Sequence, residues 1–171
     1  MSDKILIAYA TWIGSTGEVA QAIGQTLADD GAAVDVLAAQ DVSDVSPYRA
    51  VVLGSAIRAG QVHPDVLTFA GAHREALSRV PVAYFVVCLT MSRDTEENRC
   101  TVDAYLDVVR RRAPQVKPVD VGLFAGALDY GKLTPPIKAA LEAKKVPEGD
   151  FRAWEAIHAW AANVRPALLG T

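Results

Sequence analysis

The chain predicts an α/β fold in which a parallel sheet of five strands is covered by helices on both faces. Three observations carry that expectation. Apolar runs of strand length alternate with segments of helical period, the pattern of right-handed strand–helix–strand crossovers. The first run, ILIAYA, is continuously apolar rather than alternating, as suits a strand covered on both faces. Several runs lead into loops rich in glycine, serine or threonine, which places those loops together along one edge of the sheet.

Residues 5–10 form the first strand and pass through a short neutral loop into a helix over residues 15–30. A second strand is expected at residues 33–37 and a third at 51–55. Pro64 suits the first turn of a helix over residues 64–77. The fourth strand, residues 82–89, precedes a helix over 95–112 that ends in Arg110, Arg111 and Arg112, where positive charge complements the helix dipole. The fifth strand covers residues 119–125, and helices follow at 135–145 and 151–168. On the last of these, Trp154, Ile157, Ala161, Val164 and Leu168 recur at three- or four-residue steps with Trp160 beside them, a stripe that reads as core. With no repeat, low-complexity tract or linker, residues 1–171 are expected to form one domain, long enough to bury a sizeable core.

Composition narrows the function. The chain is 51% hydrophobic and 22% charged with a formal net charge of −3, which argues against a nucleic-acid binder and its clustered basic face. No apolar run reaches the length of a transmembrane helix. The acidic start, MSDKILIAYA, does not read as a signal peptide. Cys88 and Cys100 fit no metal-ligand spacing and are expected to be free thiols. The expected location is the cytoplasm, and no metal is expected.

Four loops carry the candidate site. The first, Thr11-Trp12-Ile13-Gly14-Ser15-Thr16, lies between a strand and a helix amino terminus, where backbone amides and the helix dipole favour an anion such as a phosphate dianion. It has no Lys or Arg, so amides and hydroxyls alone would hold the ligand. Ser15-Thr16-Gly17-Glu18 also has the form of a capping box, in which Ser15 caps the helix and Glu18 reaches back. There is no G-K-[ST] and no G-x-G-x-x-G, which excludes a nucleotide-hydrolysing P-loop and a dinucleotide fingerprint. The second loop follows the third strand and includes Ala56, Ile57, Arg58 and His63; its glycines suit close approach to a flat ligand, and His63 reads as a surface residue at a helix start. The third holds Leu89, Thr90 and Met91, the last able to pack on an aromatic ring or under the loop. The fourth, Gly126, Ala127 and Leu128, could complete a wall. No side chain stands out as a general acid or base, so no catalytic residue is assigned.

These residues resemble the flavodoxin family over nearly the whole chain. Flavodoxins carry a lysine-free [ST]-x-[ST]-G-x-T loop after the first strand, and Thr11, Gly14 and Thr16 fit it, with Ile13 in place of the usual hydroxyl residue. The resemblance implies a three-layer flavodoxin-like sandwich with strand order 2-1-3-4-5 and FMN as cofactor. It implies that Thr11, Trp12, Ile13, Gly14, Ser15 and Thr16 hold the phosphate through amides and hydroxyls. Ala56, Ile57, Arg58, Leu89, Thr90 and Met91 would then flank the ring, with Gly126, Ala127 and Leu128 beside them. Within the family the chain is most similar to the quinone-dependent protoporphyrinogen dehydrogenase group, through Thr11–Ala20, the stretch with G-S-A-I-R-x-G and His63, FAGALDY, and the segment around Trp154. Its segment after Tyr130 is shorter and less basic than in that group. The implied function is an FMN-dependent oxidoreductase passing electrons from a reduced donor to an organic acceptor, and the resemblance admits quinone- or porphyrinogen-type chemistry. The alternative is a flavodoxin-type electron carrier serving a redox partner protein, and a third reading is a domain that kept the fold without the flavin.

Overall fold

The computed structural model describes residues 4–12, 14–29, 31–146 and 148–170. Five parallel strands make the sheet: β1 (Ile5–Ala10), β2 (Val34–Ala38), β3 (Ala50–Arg58), β5 (Val82–Val87) and β6 (Val121–Phe124), in the spatial order β2-β1-β3-β5-β6. That is the expected order. Two additions lie outside it: β4 (Gln61–Val62) folds back antiparallel on β3, and β7 (Ala127–Leu128) pairs with β8 (Gly149–Asp150) in a small sheet of its own.

Strand periodicity explains the two layers of core. On β1, Ile5 and Ile7 point to one face and Leu6 and Ala8 to the other, and all four are fully buried. The Ile5 face is covered by α1 (Ser15–Asp29) and α7 (Trp154–Leu169), which contribute Val19, Ile23 and Leu27, and Ile157, Ala161, Val164 and Leu168. The aromatic stripe of the last helix is therefore core, with Trp160 packed against Phe85 and Phe124. The Leu6 face is covered by α2 (Pro64–Ala72), α3 (Arg74–Leu77), α4 (Glu96–Ala104) and α5 (Asp107–Arg112).

The expected boundaries move for local reasons. The single helices expected over 64–77 and 95–112 each break in two, at His73 and at Tyr105–Leu106. The fourth strand stops at Val87 because Leu89–Ser92 tightens into a single 3₁₀ turn. The third strand runs three residues beyond Ser55, since Ile57 and Arg58 pair with Val62 and Gln61. The last helix starts at Trp154 rather than 151 because Phe151 gives its N–H to the Gly126 carbonyl at 3.1 Å. Helix α6 (Pro135–Ala143) has no fully buried residue and stands at the periphery. Both cysteines are free, Cys88 buried and Cys100 exposed.

Candidate functional site

Strand order reverses between β1, which has β2 on one side, and β3 on the other. A crevice forms at such a switch point outside the carboxyl ends of the strands, and ligands of open α/β sheets bind there. The first candidate loop leaves β1 at this position. The Thr11 hydroxyl accepts the Gly14 N–H at 2.9 Å, so Thr11 shapes the loop from within. Gly14 has φ +96°, a left-handed backbone that favours glycine, with nothing within 4 Å of where a Cβ would lie. Backbone conformation, not space, selects glycine there. Helix α1 opens at Ser15, and its first-turn amides have no intrahelical acceptors. Ile13 lies outside the described residues.

Thr16 is the most informative residue of this loop. It is fully buried, and its hydroxyl has no hydrogen-bond partner among the described residues. Leaving a buried hydroxyl unpaired costs about 1–3 kcal/mol. An anionic oxygen held by the neighbouring amides would supply the missing partner. The residues present therefore fit a phosphate.

The second loop is a tight hairpin rather than an open connection. Ala59 and Gly60 turn the chain with φ +51° and +74°, which is the two-residue geometry that matches strand twist. Ser55 holds its base: the buried hydroxyl donates to the Ala56 carbonyl at 2.7 Å and accepts the His63 N–H at 2.9 Å. His63 is partly buried, not on the surface as its helix-start position suggests. Its Nδ1 accepts the Asp65 N–H at 3.1 Å, capping α2, and its ring lies 4.5 Å from that of Trp12. The Arg58 guanidinium sits 5.7 Å from the same Trp12 ring, a cation–π contact. Trp12 thus ties the first loop to the second.

The remaining loops follow β5 and β6. Leu89 and Thr90 are half-buried in the 3₁₀ turn, and the Thr90 carbonyl accepts the Asn98 side-chain amide at 3.2 Å. Met91 is buried with Cys88, Val102 and Ala125, so its thioether packs beneath the loop. After β6, Gly126 comes close to the first loop: a Cβ there would lie 3.9 Å from the Ser15 hydroxyl and 3.1 Å from Val87. Ala127 and Leu128 pair with Asp150 and Gly149.

That pairing brings in Arg152, to which the local sequence gives no role. Arg152 follows β8 and reaches the first turn of α1, where it pairs with Glu18. It also grips Asp150 in two bonds, Nε to Oδ1 at 2.8 Å and Nη2 to Oδ2 at 2.7 Å, and lies 4.7 Å over the Trp154 ring. These bonds hold the Asp150 carboxyl down to about 2 and raise the guanidinium above its ordinary value, Asp150 contributing first and Glu18 after it. Glu18 therefore pairs across 134 residues of sequence, and among the described residues its carboxylate takes no hydrogen bond from the loop. Local spacing suggested the capping box; nothing local announces the Arg152 contact. Ser15, Glu18, Ala127, Asp129, Lys132 and Arg152 together line a polar cavity of about 40 Å³ beside the first loop.

The fold and site define a doubly wound α/β domain whose switch point carries a glycine turn, a helix amino terminus and a buried, unpartnered hydroxyl. The chain belongs to the flavodoxin domain family, whose pattern matches residues 6–144. It is 33% identical over 132 residues to a protein of Leishmania major named protoporphyrinogen IX dehydrogenase [quinone], an alignment covering 75% of this chain and 56% of that protein. It is 29% identical over 129 residues to the Escherichia coli protein of the same name, covering 74% of this chain and 70% of that one. The two-electron reduced flavodoxin of Megasphaera elsdenii shares the fold, with a TM-score of 0.57 at 16% identity over 93% of this chain and 98% of that one. Among the described residues no helix is long and apolar enough to cross a membrane.

Proposed function

We propose that this chain is an FMN-binding redox protein in which one domain supplies the whole flavin site. The observation that carries the reading is the buried, unpartnered Thr16 hydroxyl within an amide-lined loop at the sheet's switch point. When bound, FMN supplies one- and two-electron transfer, and the protein contributes binding, orientation and exclusion of water. The amides of Trp12, Ser15 and Thr16, with the hydroxyls of Ser15 and Thr16, would hold the phosphate. Thr11 keeps the loop in shape by accepting the Gly14 N–H. Ala56, Ile57 and Arg58 flank one side of the ring and Leu89 and Thr90 the other, with Met91 supporting that second loop from below. Gly126, Ala127 and Leu128 close the side nearest Ser15. His63, with Nδ1 engaged as an acceptor, carries its proton on Nε2 when neutral and so presents a donor beside Trp12.

The electron acceptor is a small organic molecule of quinone type, with a porphyrinogen as the corresponding donor. Support comes from the names of the relatives, which are 33% and 29% identical over the aligned residues. Titrating purified protein with FMN should quench flavin fluorescence and give a one-to-one complex. Reduced with one equivalent of dithionite and mixed with a water-soluble naphthoquinone, that complex should be reoxidised at one quinone per flavin, and with a porphyrinogen supplying the electrons it should turn over. No uptake from excess FMN overturns the flavin reading. Uptake and reduction without quinone turnover leaves the electron-carrier role in its place.

A further inference from the structure

Charge at the phosphate end is arranged in a way the cradle alone does not require. Glu18 lies in the first turn of α1, where an acidic side chain favours the helix dipole. The same position sets a carboxylate beside a loop that holds a dianion, and like charges that close repel. Asp129 adds a further acid to the lining of the cavity at Ser15, and Asp150 is bonded to Arg152. Against them stand Lys132 and Arg152. Lys132 is exposed, whereas the Arg152 side chain is only 11% exposed and bonds Glu18 and Asp150 at once. A guanidinium in a fork geometry, backed by the Trp154 ring, is fixed in place as a flexible ammonium is not.

We propose that Arg152 is the positioning residue of the phosphate end: by holding Glu18 and Asp150 it neutralises the amino terminus of α1 and sets the preference of this chain for a phosphorylated flavin over an unphosphorylated one. The inference rests on the FMN reading of the same site and adds its charge control. FMN carries the phosphate dianion and riboflavin does not, so their ratio of affinities isolates the charge effect from general damage to the ring site.

The test is a fluorescence titration of FMN and riboflavin against the parent, Arg152→Met, Arg152→Lys, Glu18→Gln and the Glu18→Gln/Arg152→Met pair. Arg152→Met should weaken FMN about tenfold at low ionic strength and leave riboflavin within about twofold, the penalty shrinking as salt screens it. Arg152→Lys should recover part of the loss. Glu18→Gln, an exposed change that spares the fold, should bind FMN at least as tightly as the parent. Combined with Arg152→Met, it should restore most of the lost affinity. Parallel losses of FMN and riboflavin, or a double variant no better than Arg152→Met, overturn the charge assignment while the flavin reading stands. A parent that takes up neither flavin overturns both.

Discussion

At the β1 end of the crevice the loop offers backbone amides of a helix start and one buried, unpartnered hydroxyl; at the β3 end a hairpin with a two-residue turn offers side chains. Thr11 acts through its hydroxyl on the Gly14 N–H, Gly14 through its left-handed backbone and Thr16 through its buried hydroxyl, all within one short stretch of chain. Trp12, Arg58 and His63 act through mutual contact, the Trp12 ring touching both partners. The difference teaches that anchoring and tuning are separable here. A rigid backbone end suits an invariant phosphate, whereas the side-chain end suits a ring whose surroundings vary with the reaction.

Both ends stand on one floor, and damage to it should abolish the distinction. Gly54 of β3 faces Phe85, and a Cβ there would lie 2.0 Å from the ring Cζ. Phe85 is fully buried between Trp160 and Phe124 and has no room to retreat. Gly54→Ala should destabilise the protein by roughly 3 kcal/mol, lowering the melting temperature by about 10 °C. Thermal denaturation by circular dichroism measures it. A melting temperature unchanged within about 2 °C would mean that the sheet beneath the crevice yields more readily than close packing allows.

Thr16→Val separates the two ends. The change keeps the shape and removes a buried hydroxyl that nothing among the described residues satisfies. Stability of the flavin-free protein should rise by about 1 kcal/mol, while FMN affinity falls about tenfold. Opposite signs are the signature: a hydroxyl serving the fold would lower both. Urea denaturation and FMN titration of the same variant supply the two numbers.

Much of the β1 end was legible in the sequence because it depends on local order. A strand, a turn glycine, hydroxyls and a helix start follow one another within residues 5–16, and the five apolar runs define the strand order once the family resemblance is recognised. The β3 end was half legible. Ala56, Ile57 and Arg58 were identified as site residues, but not as strand, because the hairpin depends on a left-handed alanine at position 59 that propensity disfavours. Met91 could face a ring or the core from its residue type alone, and only the break of the chain into a 3₁₀ turn sends it to the core. The contact between Arg152 and Glu18 was out of reach. Their pairing needs β8 to dock on β7, and two-residue strands leave no periodic trace in sequence.

The hairpin offers the finest test of the comparison. Ala59 has φ +51°, where a Cβ crowds the following carbonyl, while Gly60 beside it bears φ +74° without that penalty. Ala59→Gly should relieve the strain, but it also frees the unfolded chain, which offsets part of the gain. The net expectation is a stabilisation of about 0.5 kcal/mol, with FMN affinity unchanged within twofold because Ala59 is exposed at the tip and no amide of the phosphate loop is touched. If the variant instead weakens FMN severalfold, the tip position fixes Arg58 and through it Trp12. The two ends of the crevice would then be one coupled unit, and anchoring could no longer be varied apart from tuning.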